Sequence, residues 1–192
     1  MSDIAADYAS AIEHDLGEPA LLHGTSFGGS VALQLAIDHP ELVRRLVVAA
    51  SACRLPSHVQ QAQAEAVRLA QNGDGRQAMA LYMASLVPRP MSLAARGLGW
   101  LLGGGFAPDR RSDMLITLAA ECSFDAEPEL SSVQAATLVL GGTNDRFYTE
   151  ELFRRTAAGI PDGRAVILPG KAHNYVASSK MTSRIALDVL LG

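Results

Sequence analysis

A serine stands in the middle of a glycine-rich hexapeptide that could carry nucleophilic chemistry. The hexapeptide is Gly24-Thr25-Ser26-Phe27-Gly28-Gly29, and it contains the pattern G-x-S-x-G. A short apolar run, Ala20-Leu21-Leu22, precedes it, and a helical pattern, Val31–Asp38, follows it. Strand, sharp turn and helix form the context in which this pattern lifts the serine above the end of a sheet. The backbone N–H of Phe27, at the start of the helix, can then face a developing oxyanion.

Two later loops supply the partners that a serine nucleophile needs. Asp145 follows the apolar run Thr137–Gly142, and His173 follows the run Arg164–Leu168. A serine hydroxyl is a weak nucleophile until an adjacent base takes its proton. His173 can be that base, while Asp145 can hold the imidazole tautomer and stabilise the imidazolium.

The alternation of strand and helix patterns predicts that these three side chains meet. Apolar, β-branched runs alternate with amphipathic helical segments, which is typical of a parallel sheet covered by helices. In such sheets chemistry lies beyond the carboxyl ends of the strands, and Ser26, Asp145 and His173 each follow a strand. We therefore predict an α/β fold with a parallel sheet of about four strands and flanking helices.

The middle of the chain has a different pattern from its two ends. Residues 1–55 and 136–192 contain the predicted strands, whereas residues 56–135 are alanine-rich and predict an all-helical insertion. Pro88-Arg89-Pro90 predicts a break in the chain. The softer apolar stretch Leu98–Phe106 is rich in glycine, but no strand precedes it and its glycines do not match a phosphate-binding loop. The predicted helices are Ser2–Asp15, the helix ending at Asp38, Gln60–Gln71, Arg76–Leu86, Arg111–Glu121, the helix from Thr149 to Gly159, and Met181–Leu191.

The composition excludes several classes of protein. The 192 residues are 48% apolar with a formal net charge of −4, which gives no overall basic footprint for nucleic acid or an anionic membrane. Cys53 and Cys122 are far apart and make neither a disulfide framework nor a metal-ligand spacing. The acidic start of the sequence is unlike a signal peptide, so we expect a cytoplasmic protein.

Four segments resemble the α/β-hydrolase family. They are the hexapeptide around Ser26, His39–Val47, Gly141–Asp145 and Pro169–His173. The resemblance runs from Asp3 to the C-terminus, and the insertion resembles the family's cap. It implies Ser26 as nucleophile, Asp145 as acid and His173 as base, with neither a cofactor nor a metal.

Two features depart from the family pattern. Thr25 stands where close relatives usually have histidine. The sequence also has no counterpart of the family's first strands, or of the loop that supplies the second oxyanion N–H. We therefore expect the C-terminal half of a larger sheet, either as a fragment or as a chain called from a late start. The strand 20–24 would then be an edge through which the chain self-associates.

Each candidate residue also has a plainer interpretation. Asp145 could be a turn aspartate, although no Asp or Glu occurs between Arg44 and Ala64, so the family's alternative acid position is empty. His173 could be a solvated loop histidine, but the preceding Pro169-Gly170 favours the base. His23 is expected to be a packed neighbour of the motif. The sequence leaves open whether Ser51, Cys53, Tyr82, Met83 and Trp100 approach a substrate pocket, and it favours a surface position for His14, His39 and His58.

The favoured function is a serine hydrolase that cleaves a small carboxylic ester, thioester or lactone through an acyl-enzyme. A serine at position 26 argues against dehalogenase and epoxide-hydrolase chemistry, which need a carboxylate nucleophile. Carbon–carbon bond hydrolysis and cofactor-free perhydrolysis use the same three residues and stay open. So does a non-catalytic or truncated relative that binds a small molecule. The expected partner is a small-molecule substrate, with no nucleic acid and no membrane.

Overall fold

A computed structural model describes residues 1–85, 87, 89–105 and 113–192. They form two compact units, of which the first is Met1–Arg54 with Phe124–Gly192 and the second is Leu55–Ser123. The described helices are α1 (Ser2–Ala11), α2 (Phe27–Asp38), α3 (Ser57–Gln71), α4 (Gly75–Ser85), α5 (Arg89–Leu102), α6 (Asp113–Ser123), α7 (Glu150–Gly159), α8 (His173–Ser178) and α9 (Lys180–Leu191). The sequence also makes predictions for Leu86, Pro88 and residues 106–112, and these residues lie outside the described part of the chain.

The first unit is built on a parallel sheet. Its strands are β1 (Ala20–Thr25), β2 (Val43–Ala49), β3 (Ala136–Gly142) and β4 (Gly163–Leu168). They are hydrogen-bonded in the order β1-β2-β3-β4, and every pair is parallel. The predicted α/β class, with four parallel strands and flanking helices, is confirmed. Val47 and Val139 on the two central strands are fully buried, which explains why these strands are continuous apolar runs.

The helix before β1 is shorter than the sequence predicts. Regular α-helix ends at Ala11, and a π-helical turn, Ile12–Leu16, completes the segment. Gly17 ends it with φ of 66°, a left-handed conformation that glycine adopts without steric cost. The segment therefore reaches β1 through a turn rather than through one uninterrupted helix.

Helix α7 shows how the flanking helices are held against the sheet. Its N-cap is Thr149, whose hydroxyl accepts a hydrogen bond from the Leu152 N–H, as its sequence predicts. Phe153 of this helix is fully buried against β3. A Cβ at Gly141 would lie 2.1 Å from the Phe153 ring, so the glycine gives the ring its space.

The boundary between the two units differs from the predicted one. The insertion was predicted to end at residue 135, but the second unit ends at Ser123. Residues 124–135 belong to the sheet-bearing unit because they pack there. Leu130 is buried against Gly159 of α7. Glu127 forms ion pairs with Arg54 and Arg155.

The second unit consists of helices α3 to α6, and α5 is not among the helices that the sequence predicts. The predicted break at Pro88-Arg89-Pro90 falls where α4 has ended at Ser85 and α5 begins at Arg89, and α5 then continues to Leu102. Pro90 stands in its first turn, where a backbone N–H has no helical partner to lose. Gly99 lies where α5 meets α4, and a Cβ there would approach Met79 O to 2.6 Å. Among the described residues no helix combines the length and apolar character needed to cross a bilayer.

Strand β1 has a partner strand on one side only among the described residues. The Ser26 N–H donates to Ala49 O at 2.9 Å, and peptide groups alternate along a strand. The peptide groups of Leu21, His23 and Thr25 therefore point to the unpaired side. An apolar groove of about 240 Å³ runs beside them, with Tyr8 of α1 in its lining.

We expect this chain to self-associate through the β1 edge, because unpaired N–H and C=O groups are a template for another strand. Sedimentation velocity should show a concentration-dependent dimer. His23→Lys, which puts a charge in the middle of the edge, should shift the equilibrium to monomer. The control His23→Ala, which removes the ring without adding charge, should not. A monomer at every concentration would contradict the expectation.

Candidate active site

Ser26 lies at the sharp turn between β1 and α2. Its φ is 52° and its ψ is −126°, the positive φ that a strained strand-to-helix turn predicts. The turn is tight enough that a Cβ at Gly24 would lie 2.3 Å from Gly28 O. A side chain at position 24 would therefore collide with backbone, which cannot rotate away as a side chain could.

The end of β2 holds this turn in place. The Ser26 N–H donates to Ala49 O, and the buried hydroxyls of Ser30 and Ser51 lie 3.1 Å apart. A Cβ at Gly29 would lie 2.6 Å from Ser51 Cβ, so α2 begins in direct contact with Ser51. The sequence left the position of Ser51 open. A small polar residue directly after the strand beside β1 is the signal that could have singled it out.

Asp145 and His173 lie on two loops that are hydrogen-bonded to each other. The Gly170 N–H donates to Thr143 Oγ1 at 2.8 Å, and the Asn144 N–H donates to Lys171 O at 2.9 Å. These bonds join the loop after β3 to the loop after β4. The two loops therefore keep a fixed distance between the carboxylate and the imidazole.

The Asp145 carboxylate is oriented by the backbone that follows it. Oδ1 accepts hydrogen bonds from the N–H groups of Phe147 and Tyr148, at 2.8 and 3.1 Å. Asp145 therefore forms the turn expected of an aspartate in a loop, and its second oxygen, Oδ2, is available to bind His173. No role for Phe147 or Tyr148 is predicted from the sequence. Their rings lie beside the imidazole, with the Phe147 ring centroid 4.6 Å from that of His173.

The structure brings the three predicted side chains together. His173 Nε2 lies 3.0 Å from Ser26 Oγ, and His173 Nδ1 lies 2.9 Å from Asp145 Oδ2. The Asp145 side chain is 0% exposed and that of His173 is 12% exposed. Because Nδ1 faces a carboxylate, we assign the imidazole proton to Nδ1. Nε2 is then unprotonated and can accept a hydrogen bond from the Ser26 hydroxyl. The arrangement can move a proton from Ser26 to His173.

Phe27 is the first residue of α2. The first N–H groups of a helix have no intrahelical acceptor, and they carry the positive end of the helix dipole. The Phe27 N–H therefore stands beside Ser26 with the electrostatic character that an oxyanion donor needs.

The other histidines do not belong to this arrangement. His23 lies on β1 with Nε2 3.4 Å from Thr25 Oγ1, and partial desolvation by its neighbours lowers the pKa of its ring. His39 is paired at 3.9 Å with Glu41, and His58 and Trp100 belong to the second unit. The described residues contain no group of three or more His, Cys, Asp and Glu side chains placed to hold a metal ion.

Comparison with known proteins identifies the family. A model of the alpha/beta hydrolase family matches residues 1–185. The chain belongs to the α/β-hydrolase family. Among curated members, 51 of its residues are 53% identical to a 2-hydroxymuconate semialdehyde hydrolase from Pseudomonas sp. strain CF600. That match covers 26% of this chain and 18% of the relative.

Solved structures of other α/β-hydrolases are similar over almost the whole chain. MGS-M2, an alpha/beta hydrolase enzyme from a deep-sea metagenome library, has a TM-score of 0.76 at 19% identity, covering 98% of this chain and 70% of that one. The enol-lactonase from Burkholderia xenovorans has a TM-score of 0.73 at 18% identity, covering 100% and 73%. Carboxylesterase CesB from Bacillus subtilis has a TM-score of 0.66 at 21% identity, covering 98% and 66%. At these identities the similarity shows the fold alone.

The contact between Gly29 and Ser51 gives a prediction that tests the turn. Gly29→Ala should destabilise the protein by about 1–3 kcal/mol, because the new methyl group overlaps Ser51 Cβ. Ser51→Gly in the same chain should recover most of that loss, since it removes the overlapping atoms. Gly24→Ala is the matched comparison, and Ser51→Gly should not rescue it because its clash is with backbone. Urea denaturation of the four variants measures these differences, and equal rescue of both alanines would contradict the assigned contacts.

Proposed function

We propose that this chain is a serine hydrolase that cleaves a small carboxylic ester, thioester or lactone through an acyl-enzyme. The observation that carries the proposal is the hydrogen-bonded line from Ser26 Oγ through His173 to Asp145, with separations of 3.0 and 2.9 Å. A serine, a base and a carboxylate in this order match the geometry of acyl-transfer enzymes on unrelated folds. Membership of the α/β-hydrolase family supports the same reaction class.

In the first step Ser26 attacks the substrate carbonyl carbon. As the Oγ–C bond forms, His173 Nε2 takes the hydroxyl proton, and the carbonyl electron pair moves onto oxygen. Asp145 stabilises the resulting imidazolium across its 2.9 Å hydrogen bond. The Phe27 N–H donates to the oxyanion, and the loss of one such donor typically costs about 10²–10³ in turnover.

In the second step the alcohol or thiol leaves, or the lactone ring opens, and the acid is released afterwards. The imidazolium returns its proton to the leaving group as the carbonyl re-forms, which leaves an acyl group on Ser26 Oγ. A water then attacks this acyl group, with His173 taking its proton and passing it back to Ser26. One ester bond and one water are consumed, and one acid and one alcohol are formed.

A second candidate is hydrolysis of a carbon–carbon bond next to a carbonyl, for which the same three residues would serve. The 53% identity over 51 residues to a 2-hydroxymuconate semialdehyde hydrolase favours this candidate. Turnover of that semialdehyde, monitored beside turnover of p-nitrophenyl acyl esters, distinguishes the two. A chain that turns over neither substrate would support the non-catalytic alternative.

We also propose a cytoplasmic location. Cys53 and Cys122 are both free thiols, and burial raises the pKa of Cys122 to about 11. Unpaired cysteines are typical of a reducing compartment.

Labelling by a fluorophosphonate probe tests the nucleophile. The unaltered chain should be labelled, and Ser26→Ala should abolish labelling because it removes the attacking oxygen. Ser178→Ala is the matched control, since Ser178 is an exposed serine on the helix that begins with His173. Labelling that survives in Ser26→Ala would place the reactive oxygen elsewhere.

Asp145→Asn tests the carboxylate. The amide can still accept from the Phe147 and Tyr148 N–H groups, but it presents an NH₂ group to His173 Nδ1. That reverses the imidazole tautomer, so turnover should fall by about 10⁴-fold. Asp125→Asn is the control, because Asp125 accepts the Glu127 N–H in the same kind of turn. Esterase assays on both variants make the comparison, and unchanged turnover in Asp145→Asn would require another acid.

A further inference from the structure

Two aromatic rings lie against the His173 imidazole, and the proposed reaction gives neither of them a part. The centroid of the Phe147 ring is 4.6 Å from that of the imidazole, and the two planes are inclined by 49°. The centroid of the Tyr148 ring is 6.2 Å away, with planes inclined by 20°. Both residues follow Asp145 in the loop after β3, so the loop that supplies the carboxylate also supplies the rings.

The hydrogen bonds of His173 leave the plane of its imidazole loosely determined. Nδ1 is bonded to Asp145 Oδ2 and Nε2 to Ser26 Oγ, which restrains the positions of the two nitrogen atoms. Hydrogen bonds tolerate a broad range of directions at the acceptor oxygen, and the outer torsion of a histidine side chain has broad minima. Contacts with the carbon atoms or faces of the imidazole are therefore needed to hold its plane.

Phe147 is placed to make such a contact because its own position is fixed. Its N–H donates to Asp145 Oδ1 at 2.8 Å, and the N–H of Tyr148 donates to the same oxygen at 3.1 Å. Tyr148 is 2% exposed, and its ring centroid lies 6.0 Å from that of Phe153, which is fully buried. The loop that carries Phe147 is thus attached both to the carboxylate and to the core.

We propose that Phe147 is a positioning residue, whose ring holds the plane of the His173 imidazole in the orientation that proton transfer needs. The proposal rests on the proposed hydrolase function. Nε2 must exchange a proton with Ser26 Oγ, with the leaving group and with water in turn, so its direction matters at each step. A misplacement of about 1 Å can cost about 10² in rate. Phe147 acts through His173 and needs no contact with the reacting atoms.

Kinetics of two Phe147 variants test this role. Phe147→Leu, which keeps an apolar side chain but loses the flat ring, should lower kcat for a p-nitrophenyl acyl ester by about tenfold or more and leave KM nearly unchanged. Phe147→Tyr should retain most of the kcat, because the ring is kept and the added hydroxyl can reach water from this partly exposed position.

Tyr175→Leu is the matched control. Tyr175 is a partly exposed aromatic residue two positions after His173, as Phe147 is two positions after Asp145, but its ring lies 4.2 Å from the Lys171 ammonium. Its loss should leave kcat unchanged. Far-UV circular dichroism and urea denaturation check that all three variants fold, so that a lower kcat is not a smaller folded fraction.

Proton NMR of the imidazole gives a readout that does not depend on turnover. The proton shared by Nδ1 and Asp145 should give a separate far-downfield signal in the unaltered chain, in Phe147→Tyr and in Tyr175→Leu. In Phe147→Leu the signal should be broadened, because an imidazole that changes orientation exposes this proton to exchange with water. If no ester is turned over but the signal responds in this way, the proposed function fails and the positioning role of Phe147 stands.

Four results would overturn the positioning role. The first is an unchanged kcat and an unchanged NMR signal in Phe147→Leu, and the second is an equal loss of kcat in Tyr175→Leu. The third is a raised KM with unchanged kcat in Phe147→Leu, which would make Phe147 a substrate contact instead. The fourth is absence of the downfield signal from the unaltered chain, which would mean that the imidazole is not held.

Discussion

The close contact of glycine backbone at the turn after β1 is the constraint on which the rest of the site depends. Gly24 and Gly28 approach so closely that no side chain fits at position 24, and only this approach lets α2 start immediately after the strand. Ser26 is then held with φ of 52°, a conformation that a non-glycine residue keeps only when its surroundings enforce it. Here they do, because Ala49 O accepts the Ser26 N–H and Ser51 packs against Gly29.

The position of the imidazole has a separate origin in the loops after β3 and β4. Hydrogen bonds from Gly170 to Thr143 and from Asn144 to Lys171 join these loops across neighbouring strands. Asp145 is fixed by the backbone N–H groups that its carboxylate accepts. The separation between Ser26 and His173 is therefore determined by the parallel order β1-β2-β3-β4, which brings the carboxyl ends of all four strands to one edge.

The sequence predicted the elements whose signal is local. Buried parallel strands are continuous apolar runs, and the G-x-S-x-G turn is recognisable from six residues, so the sheet and the three polar side chains could be located in advance. Helix α5 could not be, because Pro90 and the glycines resemble breakers until the first helical turn and the contact with α4 are known. Residues 124–135 were assigned to the wrong unit, since Leu130 packs against Gly159 far along the chain. The role of Ser51 depends on Ser30, which lies 21 positions away.

The central claim is that Ser26 Oγ forms a covalent bond to the acyl group of a substrate. The most direct measurement is peptide mass spectrometry of the chain after rapid acid quenching during turnover of an activated ester. The account predicts an added acyl mass on the peptide that contains Ser26, with fragment ions locating it on that serine, and its disappearance when the substrate is exhausted. An acyl group on a different residue would contradict the account. Turnover without any acylated peptide, in the unaltered chain or in Asp145→Asn, would also contradict it.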